Sequence, residues 1–161
     1  MAQFVCLDTN VLSWFLRTNR DKDEDKMERA QTLIETLHRE QATVALPSIV
    51  LAEALCIVPN NGFQAVLDSV KTNFPIFQFD ELAAYYYRSI FQKTRDIMVD
   101  APRWSKSADV KIVSTALAHG ATRIYSEDSG LAKIAEGLIS VAGLPSLPQR
   151  RKPLPMTIPN Q

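Results

Sequence analysis

The chain has 161 residues, 46% hydrophobic and 22% charged, with 18 Lys plus Arg against 18 Asp plus Glu. That is the length of one domain with a substantial core, and its zero net charge leaves any nucleic-acid binding to local patches. Two cysteines, five glycines with no G-x-G-x-x-G or P-loop pattern, and no apolar run of membrane length exclude a disulfide scaffold, a glycine-held nucleotide and a spanning helix.

Phe4-Val5-Cys6-Leu7 is a short apolar run that reads as a buried strand ending in Asp8. Thr9 or Asn10 offers an N-cap for a helix through Leu12, Trp14, Phe15 and Leu16. If that strand is central in a parallel sheet, Asp8 sits at its carboxyl end, where open α/β sheets bind ligands. An ionised group there is costly unless something pairs with it. The charge run 17–26 is expected as a solvated loop. A helix follows with Met27, Ala30, Leu33, Ile34 and Leu37 at three-four spacing, then a strand over 42–46. Pro47-Ser48 starts the next helix with Ser48 as its cap. That helix is apolar on every face except at Glu53, so it is expected to be buried, leaving Glu53 in need of a salt bridge, a proton or a metal. Cys6 and Cys56, each within an apolar run, are expected as buried thiols of a reducing cytoplasm.

A turn at Pro59-Asn60-Asn61-Gly62 leads to a helix over 63–73, a strand over 75–79 and a long helix capped by Asp80. Tyr85, Tyr86 and Tyr87 in that helix are expected as core and half-core aromatics. Residues 100–106 read as a loop in which Arg103 and Lys106 flank Trp104. Ser107 is expected to cap a helix ending at His119-Gly120, which places Asp109 in its first turn, as a structural cap or something more. A strand over 121–126 ends in Glu127-Asp128, and a short helix and a final strand over 139–142 follow. The alternation predicts a three-layer α/β/α fold around a parallel sheet. Residues 1–143 form the expected domain. Residues 144–161 form a proline-rich basic tail, read as an extended terminus, a strap over a partner or a cationic arm on nucleic acid.

Asp8, Glu53, Asp109 and Asp128 thus fall at strand ends, in a helix first turn and on a helix beside the sheet, places that a doubly wound fold can bring to one edge. Carboxylates gathered there repel and are driven toward protonation, and oxygen-loving divalent cations relieve this. Without a His or Cys cluster zinc fits poorly. His38 and His119 read as surface or helix-end residues.

Leu7-Asp8-Thr9-Asn10-Val11-Leu12, Pro47-Ser48 leading to Glu53, Asp109 through Ala116 with His119-Gly120-Ala121, and Ile124-Tyr125-Ser126-Glu127-Asp128 together resemble the PIN domain (PilT N-terminus) family, in particular its VapC-type toxins. The resemblance covers about residues 3 to 142. It implies a ribonuclease dependent on Mg²⁺ or Mn²⁺, with Asp8, Glu53, Asp109 and Asp128 as catalytic metal ligands and Asn10 and Ser126 in support. It also implies an RNA substrate, a cognate antitoxin and a homodimer. Glu127 departs from the family pattern, and of the two neighbouring acids Asp128 is favoured as the ligand. Arg17, Arg20, Arg103 and Lys106 are candidates for holding phosphates, and Trp104 or Trp14 for stacking on bases. A non-toxin PIN nuclease of RNA processing and a non-catalytic PIN-like RNA-binding protein are the alternatives. An aspartate-nucleophile phosphatase is disfavoured because such families place a second aspartate where this chain has Asn10.

Overall fold

The computed structural model describes residues 3–17, 23–95 and 103–147, the side chains of 103–106 excepted. Its central strand is β1 (Phe4–Leu7), with β2 (Thr43–Pro47) and β3 (Ile76–Phe77) beyond one edge and β4 (Arg123–Tyr125) and β5 (Ser140–Ala142) beyond the other. Every pairing is parallel, in the order β3-β2-β1-β4-β5. Parallel strands need covered faces, and seven helices among the described residues supply the cover. α1 (Thr9–Leu16) packs on α2 (Glu24–Arg39) and α3 (Ser48–Cys56), and α3 touches α4 (Phe63–Asn73). α6 (Arg103–Ala118) packs on α5 (Glu81–Thr94) and α7 (Ser129–Ala135). Right-handed crossovers demand this division, because the chain steps one way from β1 and the other way from β4. The expected three-layer fold is the observed one. The reversal between β1 and β4 is the topological switch point, where doubly wound sheets open a crevice at their carboxyl ends.

Apolar side chains from both faces fill the core: Val5 and Leu7 of β1, Val11 and Leu12 of α1, Leu46 of β2, Ile112 and Val113 of α6, Ile124 of β4 and Leu131 of α7. His119, at the end of α6, stacks on Phe77 with ring centroids 4.5 Å apart. Gly120 takes a φ of 71° and stops α6, as a left-handed C-terminal residue does. Asp80 caps α5 by accepting from the Ala83 N–H at 2.9 Å. Asp80→Ala is expected to lower stability by about 1 kcal/mol, the usual worth of an N-cap, as a shift in urea midpoint with unchanged slope.

Several local expectations are corrected. α1 is capped by Asp8 itself, which accepts from the Thr9 N–H. Ser48 caps nothing; it is the first residue of α3 and accepts from the Phe79 N–H at 3.3 Å. The charge run ends early, since Glu24–Lys26 form the first turn of α2. α6 begins at Arg103, so Ser107 lies inside it and pairs with the Tyr87 hydroxyl at 3.0 Å, and Asp109 stands in the second turn. α3 is not buried all round: Ala52 and Cys56 are exposed, and Ile57 after it is 62% exposed. Tyr85 is 73% exposed, a surface residue rather than core. Leu144, where the tail was expected to begin, is buried, while 148–161 and the segment holding Arg20 lie outside the described residues.

Candidate metal centre

Asp8 leaves β1 at the switch point and is 5% exposed. Its Oδ1 accepts from the Thr9 N–H at 2.6 Å, and its Oδ2 accepts from Asn10 Nδ2 at 2.9 Å and Ser126 Oγ at 2.6 Å. Asp8 therefore ends the strand, starts the helix and is fixed in orientation by three donors. Burial nevertheless pushes its pKa upward; the Ser126 and Thr9 hydrogen bonds pull it down, and Asp128 and Glu53 add to the rise.

Ser126, 4% exposed, lies just past β4. Its hydroxyl also accepts from the Asp128 N–H at 2.9 Å, so one side chain ties the ends of the two strands together. Asp128 caps α7 through Oδ1, which accepts from the Gly130 N–H at 2.6 Å and the Leu131 N–H at 3.4 Å. Glu53 projects from α3 and accepts through Oε2 from the Thr9 hydroxyl. The side chain of Asp109, half-buried on α6, makes no hydrogen bond among the described residues. Burial first, then the charges of Asp128, Asp8 and Glu53, push its pKa up to about 7.

The four acids named from the sequence therefore converge from four elements. Charge links them: Asp128 and Glu53 act on Asp8, and Asp128, Asp8 and Glu53 all act on Asp109. Among the described residues none of the four is paired with Lys, Arg or His. No three Asp, Glu, His or Cys side chains among those residues are placed so that they could hold a metal ion as they stand. Among the described residues Asn10 Oδ1 is buried without a hydrogen-bond partner. An all-oxygen set of uncompensated carboxylates beside an orphaned carbonyl oxygen fits a hard divalent cation that keeps part of its water, as Mg²⁺ does.

The sequence singles out Thr9 only as a cap, although it connects Asp8 to Glu53, its N–H donating to the one and its hydroxyl to the other. The signal lay in the Asp-Thr-Asn run, which puts a hydroxyl on the residue that follows Asp8. Arg17 is committed to Asp23, with which it forms an ion pair. Trp14 is half-buried, with Lys26 Nζ 4.7 Å from its ring centroid. The side chains of Arg103, Trp104 and Lys106 lie outside the described residues. Cys6 lies in the core, and burial pushes its thiol up to about 12, so it contributes no thiolate here.

A model of the PIN domain matches residues 5–137. Among solved structures the chain is similar to one in VapBC2 of Rickettsia felis bound to a DNA fragment from their promoter, at 20% identity over 89% of this chain and 100% of that one, with a TM-score of 0.66. It is also similar to one in FitAcB of Neisseria gonorrhoeae, at 24% identity over 85% of this chain and 95% of that one, TM-score 0.58. A third is VapBC-5 of Mycobacterium tuberculosis, described as a member of the VapBC family of toxin-antitoxin systems, at 19% identity over 88% and 97% and TM-score 0.53. At these identities the likeness is one of fold. No match was found among curated proteins.

Proposed function

The chain belongs to the PIN domain family, whose members are nucleases, and from that premise we propose that it is a divalent-metal-dependent endoribonuclease acting as the toxin of a toxin–antitoxin pair. The observation that carries the reading is the uncompensated acid cluster: four carboxylates at the switch-point crevice, one raised to about 7, with no cationic side chain among the described residues to balance them. Asp8, Glu53, Asp109 and Asp128 would hold Mg²⁺ or Mn²⁺. Such an ion, when bound, supplies positive charge to a phosphodiester and lowers the pKa of a water.

The residues of the chain prepare that chemistry. Asp8 is held by Thr9, Asn10 and Ser126 so that neither oxygen swings away. Thr9 sets the rotamer of Glu53, and the α7 backbone sets that of Asp128. Asp109, whose side chain makes no hydrogen bond among the described residues, would give up its proton on holding the ion, since ligands bind deprotonated. Single-stranded or looped RNA is the substrate class, because its unstacked bases are open to recognition. The antitoxin is supported by the VapBC and FitAcB neighbours, and a homodimer belongs to the same reading.

Incubation with total RNA, followed by mapping of new ends, tests the proposal. Cleavage is expected with Mg²⁺ or Mn²⁺ and should stop on chelation. Cleavage that continues unchanged in chelator would sink it.

A further inference from the structure

Glu127 lies between Ser126 and Asp128, yet its side chain is engaged elsewhere. Glu127 Oε1 accepts from the Leu144 N–H at 2.5 Å and stands 3.6 Å from Arg29 Nη2. The Arg29 guanidinium donates through Nε to the Pro145 carbonyl at 2.9 Å and through Nη2 to the Leu144 carbonyl at 2.8 Å. Its Nη1 stands 3.6 Å from Asp25. Gly143 makes room for the contact, since a Cβ there would come within 2.7 Å of Glu127 Oε1. The Ser126 N–H meets the Ala142 carbonyl at 2.9 Å.

One arginine of α2 thus clamps together the turn after β4 and the chain leaving β5. That turn carries the hydroxyl that orients Asp8 and the carboxylate of Asp128. Charge-assisted contacts at its middle residue restrict how the flanking side chains are presented. We propose that Glu127 is a positioning residue: through Arg29 and the Leu144 N–H it fixes the turn that presents Ser126 and Asp128 to a divalent cation. The inference rests on the reading that Asp8, Glu53, Asp109 and Asp128 hold such an ion. It also assigns the neighbouring acids opposite duties, Asp128 toward the crevice and Glu127 toward the clamp.

The test is calorimetric titration of the full-length protein with Mn²⁺, alongside thermal unfolding in its absence. Arg29→Ala and Glu127→Ala are each expected to weaken Mn²⁺ binding about tenfold, the lower end for partners outside the ligand set, and the double variant no further than either alone. Glu127→Gln keeps an acceptor for the Leu144 N–H and should recover most of the affinity. If alanine at either position unfolds the chain, Arg29→Lys and Glu127→Gln carry the comparison, with Arg29→Lys weakened and Glu127→Gln near wild type. Wild-type affinity in Arg29→Ala, with loss in both Glu127 variants, would make Glu127 a ligand and overturn the proposal. Lowered unfolding temperatures with unchanged Mn²⁺ affinity would overturn it too, leaving the metal reading intact. A wild-type protein that binds no Mn²⁺ would overturn both.

Discussion

Asp8→Asn is expected to lower RNA cleavage by roughly 10³-fold or more, beyond the about 10–100-fold typical of losing an outer partner, and to remove measurable Mn²⁺ binding. Asparagine keeps the shape of the side chain and one carbonyl oxygen, so α1 keeps a cap. What disappears is the negative charge at the centre of the cluster, together with one acceptor, since the amide nitrogen can only donate. The Ser126 hydroxyl can turn to accept from that nitrogen, whereas Asn10 Nδ2 requires an acceptor and must shift. Because burial already pushes Asp8 toward its neutral form, removing the charge should leave the unfolding midpoint at neutral pH unchanged or higher. Cleavage rates and Mn²⁺ titration on a folded variant check this together. Retained cleavage would remove the ground for placing the chemistry at this crevice.

The second large effect concerns Asp109 and runs against the usual behaviour of carboxylates. Its pKa rises from 3.8 in the unfolded chain to about 7 in the folded one. At low pH both states carry the proton. Between those two values the folded state keeps a proton that the unfolded state has released, so metal-free stability falls as pH rises through the window and the full penalty is present above it. Solvent reaches half-buried Asp109 and screens the repulsion, so the loss is on the order of 1–2 kcal/mol rather than the whole equivalent of the shift. Asp8 is shifted in the same direction and adds to the slope. Asp109→Asn should therefore be more stable than wild type at pH 7.5 while binding Mn²⁺ poorly and cleaving little, a trade of function for stability. Mn²⁺ should stabilise the wild type strongly at pH 7.5 and weakly at pH 5, where protons compete for the same oxygens. Urea unfolding at the two pH values, with and without Mn²⁺, measures all of this. A wild-type stability that climbs with pH would contradict the cluster's electrostatics.

The architecture was legible because alternating apolar strands and amphipathic helices admit few arrangements, and a parallel sheet with short crossovers is the simplest. Asp80 and Gly120 were legible because cap and stop chemistry is local. The errors have a common cause in tertiary context. The composition of α3 predicted complete burial, but nothing in its sequence says whether a neighbour covers Ala52, Cys56 and Ile57. The polar stretch around Trp104 reads as loop, so the sequence starts α6 at Ser107 and puts Asp109 a turn too early. Asp109 is consequently perturbed by burial and by the other carboxylates rather than by a helix terminus. Convergence of the four acids was anticipated from the switch-point rule, whereas the Thr9–Glu53 contact and the Arg29 clamp join residues that no spacing rule connects.

The pairing of β1 with β4 also dictates when in the life of the polypeptide the crevice can exist. Ser126 and Asp8 meet across 118 positions, so the centre cannot close until nearly all of the described fold has been synthesised. Asp8 and Glu53 emerge from the ribosome early, with β1 open along one edge until β4 arrives seconds later at about 5–20 residues per second. A chain truncated before residue 123 would hold three of the four acids, without Asp128, beside a central strand unpaired along one edge. An unpaired strand edge of that kind is a template for aggregation. The crevice therefore comes into being only once the turn after β4 has been made and its hydroxyl has met Asp8.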